Sequence, residues 1–302
     1  MKAAVIHEYG SPEVLKYEDF PDPRLAHGEV LIRVAAAGVN PIDLHEREGA
    51  TKEWRPVKFP GVLGWDLAGT VVGLGDGVNG FAMGERVFGW AYHTYAELCA
   101  VKTELLAKTP ERLDLFQAAA LPLVSATGCQ LITLASGLTA GQSVLVSGAV
   151  GSVGRAAIFA AKDKGAKVFA GVRSRDRAIA ETLGVDGIVA LDDPEELARL
   201  APVDVVANCI PGAAASQLLG KVKPGGMFAS VTGVPDGADA FPQVRTKAFV
   251  SKQDVATYLY AAEGIISGKL QIPVSRVFPL RQAADAHAHM ARGGAGKILL
   301  RP

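Results

Sequence analysis

The sequence predicts an α/β protein with two domains, a doubly wound parallel sheet domain and a compact β-barrel-like domain. Three observations predict this fold. A glycine-rich turn at 148–154 joins an apolar run to a helical segment, and a second apolar run follows it. Strand-like and helical segments then alternate as far as residue 231. The first part of the chain instead carries short strands separated by glycine and proline, and its 302 residues suffice for about two domains.

The N-terminal part is predicted to be a compact β domain. Segments 2–8 and 29–37 alternate in polarity or run apolar, and the glycine-flanked segments 69–75 and 84–89 continue the pattern. The pattern changes at residue 115, because 115–132 is predicted to be helical.

The second part of the chain is predicted to form the parallel sheet, with helices on both faces. Its strands are expected at Ser143–Ser147, Lys167–Val172, Gly187–Ala190, 204–208 and 227–231. The tail has no glycine motif and resembles the first part, with a strand at Val274–Pro279, a helix at 281–291 and a strand at 296–300. We therefore expect one domain from 1–122 and 268–302, and the other from 123–267.

The glycine-rich turn predicts a dinucleotide-binding unit, because strand, glycine turn, helix and strand follow one another in that order. One glycine would let the backbone approach a pyrophosphate, another would let helix and strand pack closely, and the helix N-terminus offers free N–H groups. Alanine replaces the first glycine of the usual pattern, so a turn that only closes a βα corner is the alternative. The candidate residues are Gly148, Ala149, Val150, Gly151, Ser152, Val153 and Gly154.

Composition excludes some classes of protein. Lys+Arg and Asp+Glu both number 31, which argues against a nucleic-acid binder that relies on a broad basic surface. The N-terminus has no signal-peptide region, and the apolar span 118–136 is interrupted by polar residues, so no membrane segment is expected. The three cysteines are far apart and odd in number, which indicates a reducing compartment, and we expect a cytoplasmic protein.

A series of short motifs, in this order and spacing, resembles the zinc-free medium-chain dehydrogenase/reductase family, in its quinone oxidoreductase branch. The resemblance covers nearly all of the chain. Its motifs include Gly38-Val39-Asn40-Pro41-Ile42-Asp43, Gly84-Glu85-Arg86-Val87, Ser125-Ala126-Thr127-Gly128, the turn 148–154 and Gly296-Lys297-Ile298. The resemblance implies a GroES-like catalytic domain, a Rossmann domain that binds NADPH, and a homodimer formed through the sheet edge of the Rossmann domain.

The residues themselves argue against a metal site. Zinc alcohol dehydrogenases of the same superfamily place a ligand cysteine where Asn40 stands and a histidine where Trp65 stands. Neither asparagine nor tryptophan is a donor that catalytic zinc prefers. The four close cysteines of a structural zinc lobe are also missing, and the histidines show no ligand spacing. We expect His287 and His289 to be surface or hydrogen-bonded residues.

The segment after the second strand predicts NADPH. An NAD site usually carries an acid there, whereas this chain has Arg173 and Ser174, whose donors suit a 2′-phosphate. The resemblance places Arg177 where relatives use a lysine for the same phosphate. A solvated basic turn is the alternative, and we expect Asp176 to point away.

Further cofactor contacts are implied by the resemblance alone. Thr127 would bond the nicotinamide carboxamide, and Asn208 and Ile210 would line the ribose side. The turn Val231, Thr232 and Gly233 would pass near the nicotinamide. Ordinary strand-end turns are the alternative interpretation.

Without a metal, the predicted chemistry is hydride transfer to an acceptor whose conjugated oxygen spreads the incoming charge, such as a quinone or an enone. The resemblance and its uncharged amide make Asn40 the candidate donor to that oxygen, with capping before Pro41 as the alternative. Asp43 is a further catalytic candidate, with a structural or hydrogen-bonding role as the favoured interpretation, and Tyr95 is expected to contact substrate or to pack. His45 is a candidate proton donor near neutral pH, or a surface residue.

The predicted function is therefore NADPH-dependent reduction of a small-molecule quinone or similar acceptor. Reduction of an enone or enoyl-thioester is a second enzymatic hypothesis. A non-catalytic NADPH-binding protein, crystallin-like or RNA-binding, is the hypothesis of another class, and the zero net charge weighs against RNA.

Overall fold

The computed structural model describes residues 1–302 and divides them into two compact units. The first unit consists of Met1–Leu123, Gln253–Ile266 and Ile272–Pro302, and the second of Val124–Lys252 and Ser267–Gln271. The expected limits differ from this division chiefly in Gln253–Ile266, which was assigned to the other domain. In the first unit the ring of Tyr258 lies 6.5 Å from that of Phe88, and Gln253 Nε2 donates to the carbonyl of Trp90 at 2.8 Å.

The chain forms sixteen strands and nine helices. The strands are β1 (Lys2–Ile6), β2 (Lys16–Asp19), β3 (Glu29–Val39), β4 (Gly61–Val62), β5 (Asp66–Leu74), β6 (Arg86–Trp90), β7 (Leu98–Lys102), β8 (Leu106–Lys108), β9 (Ser143–Ser147), β10 (Lys167–Val172), β11 (Gly187–Ala190), β12 (Val203–Asn208), β13 (Val222–Ser230), β14 (Arg245–Ala248), β15 (Val274–Pro279) and β16 (Lys297–Arg301). The helices are α1 (Pro41–Glu48), α2 (Leu115–Ala119), α3 (Pro122–Gln130), α4 (Ser152–Asp163), α5 (Arg177–Glu181), α6 (Pro194–Arg199), α7 (Ala213–Gln217), α8 (Val255–Ile266) and α9 (Ala283–Ala291).

The first unit is built around β3. A seven-stranded sheet has the order β15-β16-β3-β5-β6-β8, with β7 also paired to β3, and a three-stranded sheet has the order β2-β1-β4. β3 is fully buried towards its end, because it is paired on both sides and both of its faces are covered. The tail strand β16 runs antiparallel to β3 with Ile298 opposite Val39, so the tail returns to the N-terminal sheet as the sequence predicted.

The second unit holds six parallel strands in the order β11-β10-β9-β12-β13-β14. The chain leaves β9 in one direction to build β10 and β11, and in the other to build β12, β13 and β14. This reversal between β9 and β12 opens a crevice at the carboxyl ends of the strands, where doubly wound folds bind their ligands. The predicted strands β9, β10 and β11 have the observed limits, whereas the edge strand β14 was missed because all four of its residues are exposed.

The predicted helix 115–132 is in fact two helices, α2 and α3. Pro122 has no N–H to donate, so a helix cannot continue through it, but proline is well suited to begin one. Asp114 begins α2, because its Oδ1 accepts from the backbone N–H groups of Phe116 at 2.8 Å and Gln117 at 2.9 Å.

No helix in the structure combines the length and the apolar character needed to cross a membrane.

Candidate active site

The glycine turn of the second unit is shaped by its backbone. Gly148 has a φ of +63°, a conformation that favours glycine, and its carbonyl accepts from Gly151 N at 3.0 Å. A Cβ added to Gly154 would lie 2.3 Å from that carbonyl oxygen, so only glycine allows α4 to approach the turn this closely. The N–H groups of the first helical residues have no acceptor within the helix, which leaves them free for phosphate oxygens.

Asn208 joins the carboxyl ends of three neighbouring strands. Its Oδ1 accepts from Ser147 Oγ at 2.7 Å, at the end of β9. Its Nδ2 donates to Ile210 O at 2.8 Å, to Ser230 Oγ at 3.0 Å and to Thr232 Oγ1 at 3.2 Å. The Asn208 side chain is completely buried. It therefore holds the loops that line the crevice, including the turn that contains Val231 and Gly233, rather than presenting its own amide to a ribose.

Acidic residues partly neutralise the basic segment that follows β10, residues 173–177. The backbone N–H and the hydroxyl of Ser174 both donate to Asp192 Oδ1, at 2.7 and 2.8 Å. Arg177 binds both carboxylate oxygens of Glu196. The Arg173 side chain is exposed and makes no hydrogen bond, so it is the residue of the predicted triplet that no neighbouring acid engages directly.

Asn40 lies in a buried charged cluster of the first unit, which we call the Asp66 cluster: Asn40, Asp66 and Lys297. Lys297 Nζ donates to Asp66 Oδ2 at 2.9 Å and also to Asn40 Oδ1, while Asn40 Nδ2 donates to Asp66 Oδ2 at 2.9 Å. Leu123 N donates to Asp66 Oδ1 at 2.8 Å. A Cβ on Gly38 would lie 2.8 Å from Asp66 Oδ2, so glycine permits this approach. Both ends of the Asn40 amide are engaged, and the residue is 1% exposed.

Asp43 follows Asn40 in the first turn of α1. Its Oδ2 accepts from Asn40 N at 2.7 Å and from the Tyr95 hydroxyl at 2.9 Å, and its Oδ1 has no partner. Complete burial raises the pKa of Asp43 well above its ordinary value, because the charged form is removed from water. The group is a protonated carboxyl over a range of pH in which an exposed aspartate would be ionised.

Tyr95 links Asp43 to His287 and, through it, to Arg47. Its hydroxyl donates to Asp43, so it accepts from His287 Nε2 at 3.2 Å, and His287 Nδ1 accepts from Arg47 at 3.2 Å. Burial, followed by the nearby Arg47 guanidinium, lowers the pKa of His287 to about 3. Burial and then Asp43 raise the pKa of Tyr95 well above its ordinary value. His287 is therefore a neutral, hydrogen-bonded core histidine.

Trp65 occupies the position that holds a histidine in zinc enzymes of the superfamily. Its Nε1 donates to Glu46 Oε2 at 2.8 Å, and Arg55 Nε donates to Glu46 Oε1 at 2.9 Å. An indole N–H has no lone pair for a metal, and Asn40 and Asp66 already hold the Lys297 ammonium. No group of three or more His, Cys, Asp or Glu side chains is placed to bind a metal ion. These residues do not fit a zinc site.

The structure brings three of the four candidate catalytic residues together. Asn40, Asp43 and Tyr95 share one buried network, whereas His45 lies on the exposed face of α1 and joins none of these bonds. In the second unit, Thr127 Oγ1 lies 3.0 Å from Ser251 Oγ.

Comparisons with known proteins place the chain among oxidoreductases. An alcohol dehydrogenase GroES-like domain matches residues 26–111, and a zinc-binding dehydrogenase domain matches residues 183–300. The chloroplastic NADPH-dependent alkenal/one oxidoreductase of Arabidopsis thaliana is 32% identical, over 100% of this chain and 80% of its own length. The chain belongs to the medium-chain dehydrogenase/reductase family, in its quinone oxidoreductase branch.

Two further relatives of this oxidoreductase support the same family assignment. The quinone oxidoreductase of Rattus norvegicus is 30% identical, over 99% of this chain and 97% of its own length. The structure of the quinone oxidoreductase from Coxiella burnetii has a TM-score of 0.90 at 29% identity, covering 100% of this chain and 99% of that one. The predicted α/β fold, with Rossmann and GroES-like parts, is confirmed.

Four important residues were missed or undervalued from the sequence. Lys297 is a charge at the start of the apolar strand β16, and His287 lies in the Ala-rich helix α9; both anomalies were visible in the sequence. Asp192 and Glu196 follow β11, whose carboxyl end lies beside that of β10 in a parallel sheet. Because β10 and β11 are neighbours, residues just after β11 could have been predicted to lie beside the basic segment that follows β10.

Proposed function

We propose that this oxidoreductase reduces quinones and other carbonyl-conjugated acceptors with NADPH and without a metal. One observation carries the proposal. The glycine turn lies at the switch point of a Rossmann sheet, in a chain whose first unit has an ammonium–carboxylate cluster at the position where zinc relatives hold their metal.

The second unit fits a dinucleotide. The turn 148–151 and the N-terminal residues of α4 would hold the pyrophosphate, since the first N–H groups of α4 have no acceptor within the helix and Gly154 allows the close helix approach. The loops fixed by Asn208 would hold the ribose and nicotinamide. A Cβ on Gly212 or Gly233 would meet nothing within 4 Å, so both loops keep an open face.

Arg173 supports the preference for NADPH over NADH, because its guanidinium is free to bind a 2′-phosphate. Arg177 is neutralised by Glu196. We expect Arg173→Glu to weaken NADPH binding far more than NADH binding, and Arg177→Ala to have a smaller effect. Titration of each variant with both cofactors measures this, and equal losses for NADPH and NADH would remove the 2′-phosphate assignment.

When bound, the reduced nicotinamide supplies a hydride. The chain's part is to hold the acceptor in register and keep water out. A conjugated acceptor needs only modest hydrogen bonds, because its own oxygen spreads the developing charge. We propose that Asn40, Asp43 and Tyr95 are positioning residues that fix α1 against β3 and β16, since all three are buried and, apart from the enclosed Asp43 Oδ1, their polar side-chain atoms are already hydrogen-bonded.

A panel of acceptors tests the function. Purified protein with NADPH is mixed with a quinone, an enone and the saturated ketone that matches the enone, and loss of the reduced cofactor is followed by absorbance. Oxidation is expected with the quinone or the enone, and none with the saturated ketone. NADPH that binds tightly but is oxidised by no acceptor would show a non-catalytic binding protein.

Enone reduction is the second candidate, and the alkenal/one oxidoreductase relative favours it. The same panel decides between them by the ratio of kcat/KM for the enone to that for the quinone.

We further propose a homodimer that forms through β14, the edge strand of the second unit. Its four residues are all exposed, and Val250, just beyond it, is 90% exposed.

The three cysteines are free thiols, which supports a reducing compartment such as the cytoplasm.

A further inference from the structure

The geometry points to a second anion site in the second unit, built on Arg155, Lys162 and Lys269 and separate from the nucleotide crevice. These three cations line a cavity of about 200 Å³ between α4, the turn at 182–184 and Gly268–Gln271. No carboxylate is among its lining residues. The ligand class that suits it is a compact phosphate, inorganic or as a small monoester.

Arg155 is the buried cation of this site. It is 6% exposed, and the only hydrogen bond of its side chain runs from Nε to the carbonyl of Val150 at 3.0 Å. Arg155 lines the cavity, and its guanidinium makes no ion pair. Burial lowers the pKa of Arg155, and no neighbouring acid offsets it. A buried guanidinium with two free donors is costly unless an anion completes it.

The rim supplies two further charges. Lys162 Nζ donates to Leu183 O at 3.2 Å, and it keeps other donors for a ligand. A Cβ on Gly184 would lie 3.2 Å from that ammonium, so glycine leaves the space open. Lys269 is exposed at the opposite side. The three cations thus line one cavity from two segments of the chain, α4 and Gly268–Gln271.

The size and walls of the cavity favour a phosphate over a larger ligand. Ile158, Phe159 and Leu270 give it an apolar wall that fits a short carbon chain, and the cations fit a doubly charged group. A nucleotide is too large for this volume, which separates the site from the crevice of the Rossmann sheet.

Phosphate titration tests the site. Phosphorus NMR linewidths and shifts of inorganic phosphate, and of glycerol phosphate as the monoester, are followed at constant ionic strength, with glycerol added as an uncharged competitor. Arg155→Met is expected to weaken binding at least about tenfold. Lys269→Met is expected to weaken it about threefold. Glycerol is expected not to displace the bound phosphate.

Two control variants separate this site from other basic positions. Arg199→Met removes an exposed arginine of the same unit that already pairs with Glu195 at 2.8 Å, and it should leave phosphate binding unchanged. Arg173→Glu should reduce NADPH affinity but not phosphate affinity here, so failure of the cofactor proposal would leave this one standing.

The anion site is overturned if the two single variants, Lys269→Met and Arg155→Met, both bind phosphate with wild-type affinity. Lys269 is exposed, so its substitution keeps the test valid even if Arg155→Met disturbs the turn at Val150. Equal losses in Arg199→Met would also overturn it, because they would show non-specific binding to basic residues. Tighter binding of the monoester than of phosphate would identify an organic ligand.

Discussion

At the scale of single residues, Asp43 and His287 are both held neutral by burial. The raised pKa of Asp43 and the lowered pKa of His287 have the same first cause, the removal of a charged form from water. Tyr95 lies between them and donates to one while accepting from the other. These hydrogen bonds orient α1 through neutral groups, with the buried Arg47 as the charged end of the chain.

His287 gives a pH dependence of stability with a definite sign. Its pKa is about 3 when folded and 6.5 in its ordinary state, so between these values the unfolded chain binds more protons. The free energy of unfolding should therefore fall as pH falls from 6.5 towards 3, by at most about 1.4 kcal/mol per pH unit from this group. Chemical denaturation at several pH values measures the slope.

His287→Asn should flatten that slope, because the amide cannot titrate. Asp43 acts with the opposite sign, since its raised pKa removes stability as pH rises, so the difference between wild type and variant isolates the histidine. The exposed His45→Asn variant controls for loss of a histidine elsewhere. An unchanged slope in His287→Asn would contradict the assignment.

We expect Asp192 to limit the proposed preference for NADPH. Its carboxylate accepts two hydrogen bonds from Ser174, which lowers its pKa, with the Arg173 charge as a lesser cause. Asp192→Asn keeps an oxygen for Ser174 and removes the charge, so NADPH affinity should rise about fivefold relative to NADH affinity. Paired titrations measure the ratio. Exposed Glu181→Gln is the control, and equal gains for both cofactors would show that Asp192 does not face the 2′ position.

At the scale of elements, β16 is held to β3 and β5 by Lys297. The pairing of Ile298 with Val39 places the ammonium beside Asn40, and the pairing of Gly38 with Asp66 brings the carboxylate to the same point. The lysine and the aspartate are 2% and 0% exposed. Removing one charge of such a pair leaves the other buried and uncompensated.

Lys297→Met should therefore cost about 3–5 kcal/mol of unfolding free energy. Lys297→Met combined with Asp66→Asn should recover part of that loss, because no charge then remains buried. Denaturant titration measures both. Lys2 pairs with Asp19 at the same distance, 2.9 Å, but in water, so Lys2→Met should leave stability almost unchanged. A small effect for Lys297→Met would show that water reaches the cluster.

At the scale of the whole molecule, the exposed edge of the parallel sheet is the feature that needs a partner. An open edge strand presents unpaired backbone groups that a second copy of the chain can pair with, although β14 also carries two cations, Arg245 and Lys247. Sedimentation velocity should show a dimer. Val250→Asp should shift it towards monomer, because the variant puts a charge where an apolar side chain is 90% exposed. A wild-type monomer would end the proposal.

The exposed Val234→Asp is the matched control for that test. Val234 is 49% exposed and lies outside β14, so its substitution should leave the oligomeric state as in the wild type.

The fold class and the family could be predicted from the sequence alone. So could the limits of β9, β10 and β11 and the position of the glycine turn. These depend on local patterns: apolar runs, glycine spacing and motif order, which a chain carries along its length. It also showed that Asn40 and Trp65 are poor zinc donors, since donor chemistry belongs to the residue type.

What the polar residues do depends on the folded chain. From the sequence, Asn40 was expected to donate to the acceptor and Arg177 to the 2′-phosphate, yet Asn40 Nδ2 donates to Asp66, Asn40 Oδ1 accepts from Lys297, and Arg177 pairs with Glu196. Lys297 is distant in sequence and adjacent in space, because the tail strand returns beside β3. Burial and partners set the charge and availability of a side chain, and both depend on contacts between elements that no local pattern records.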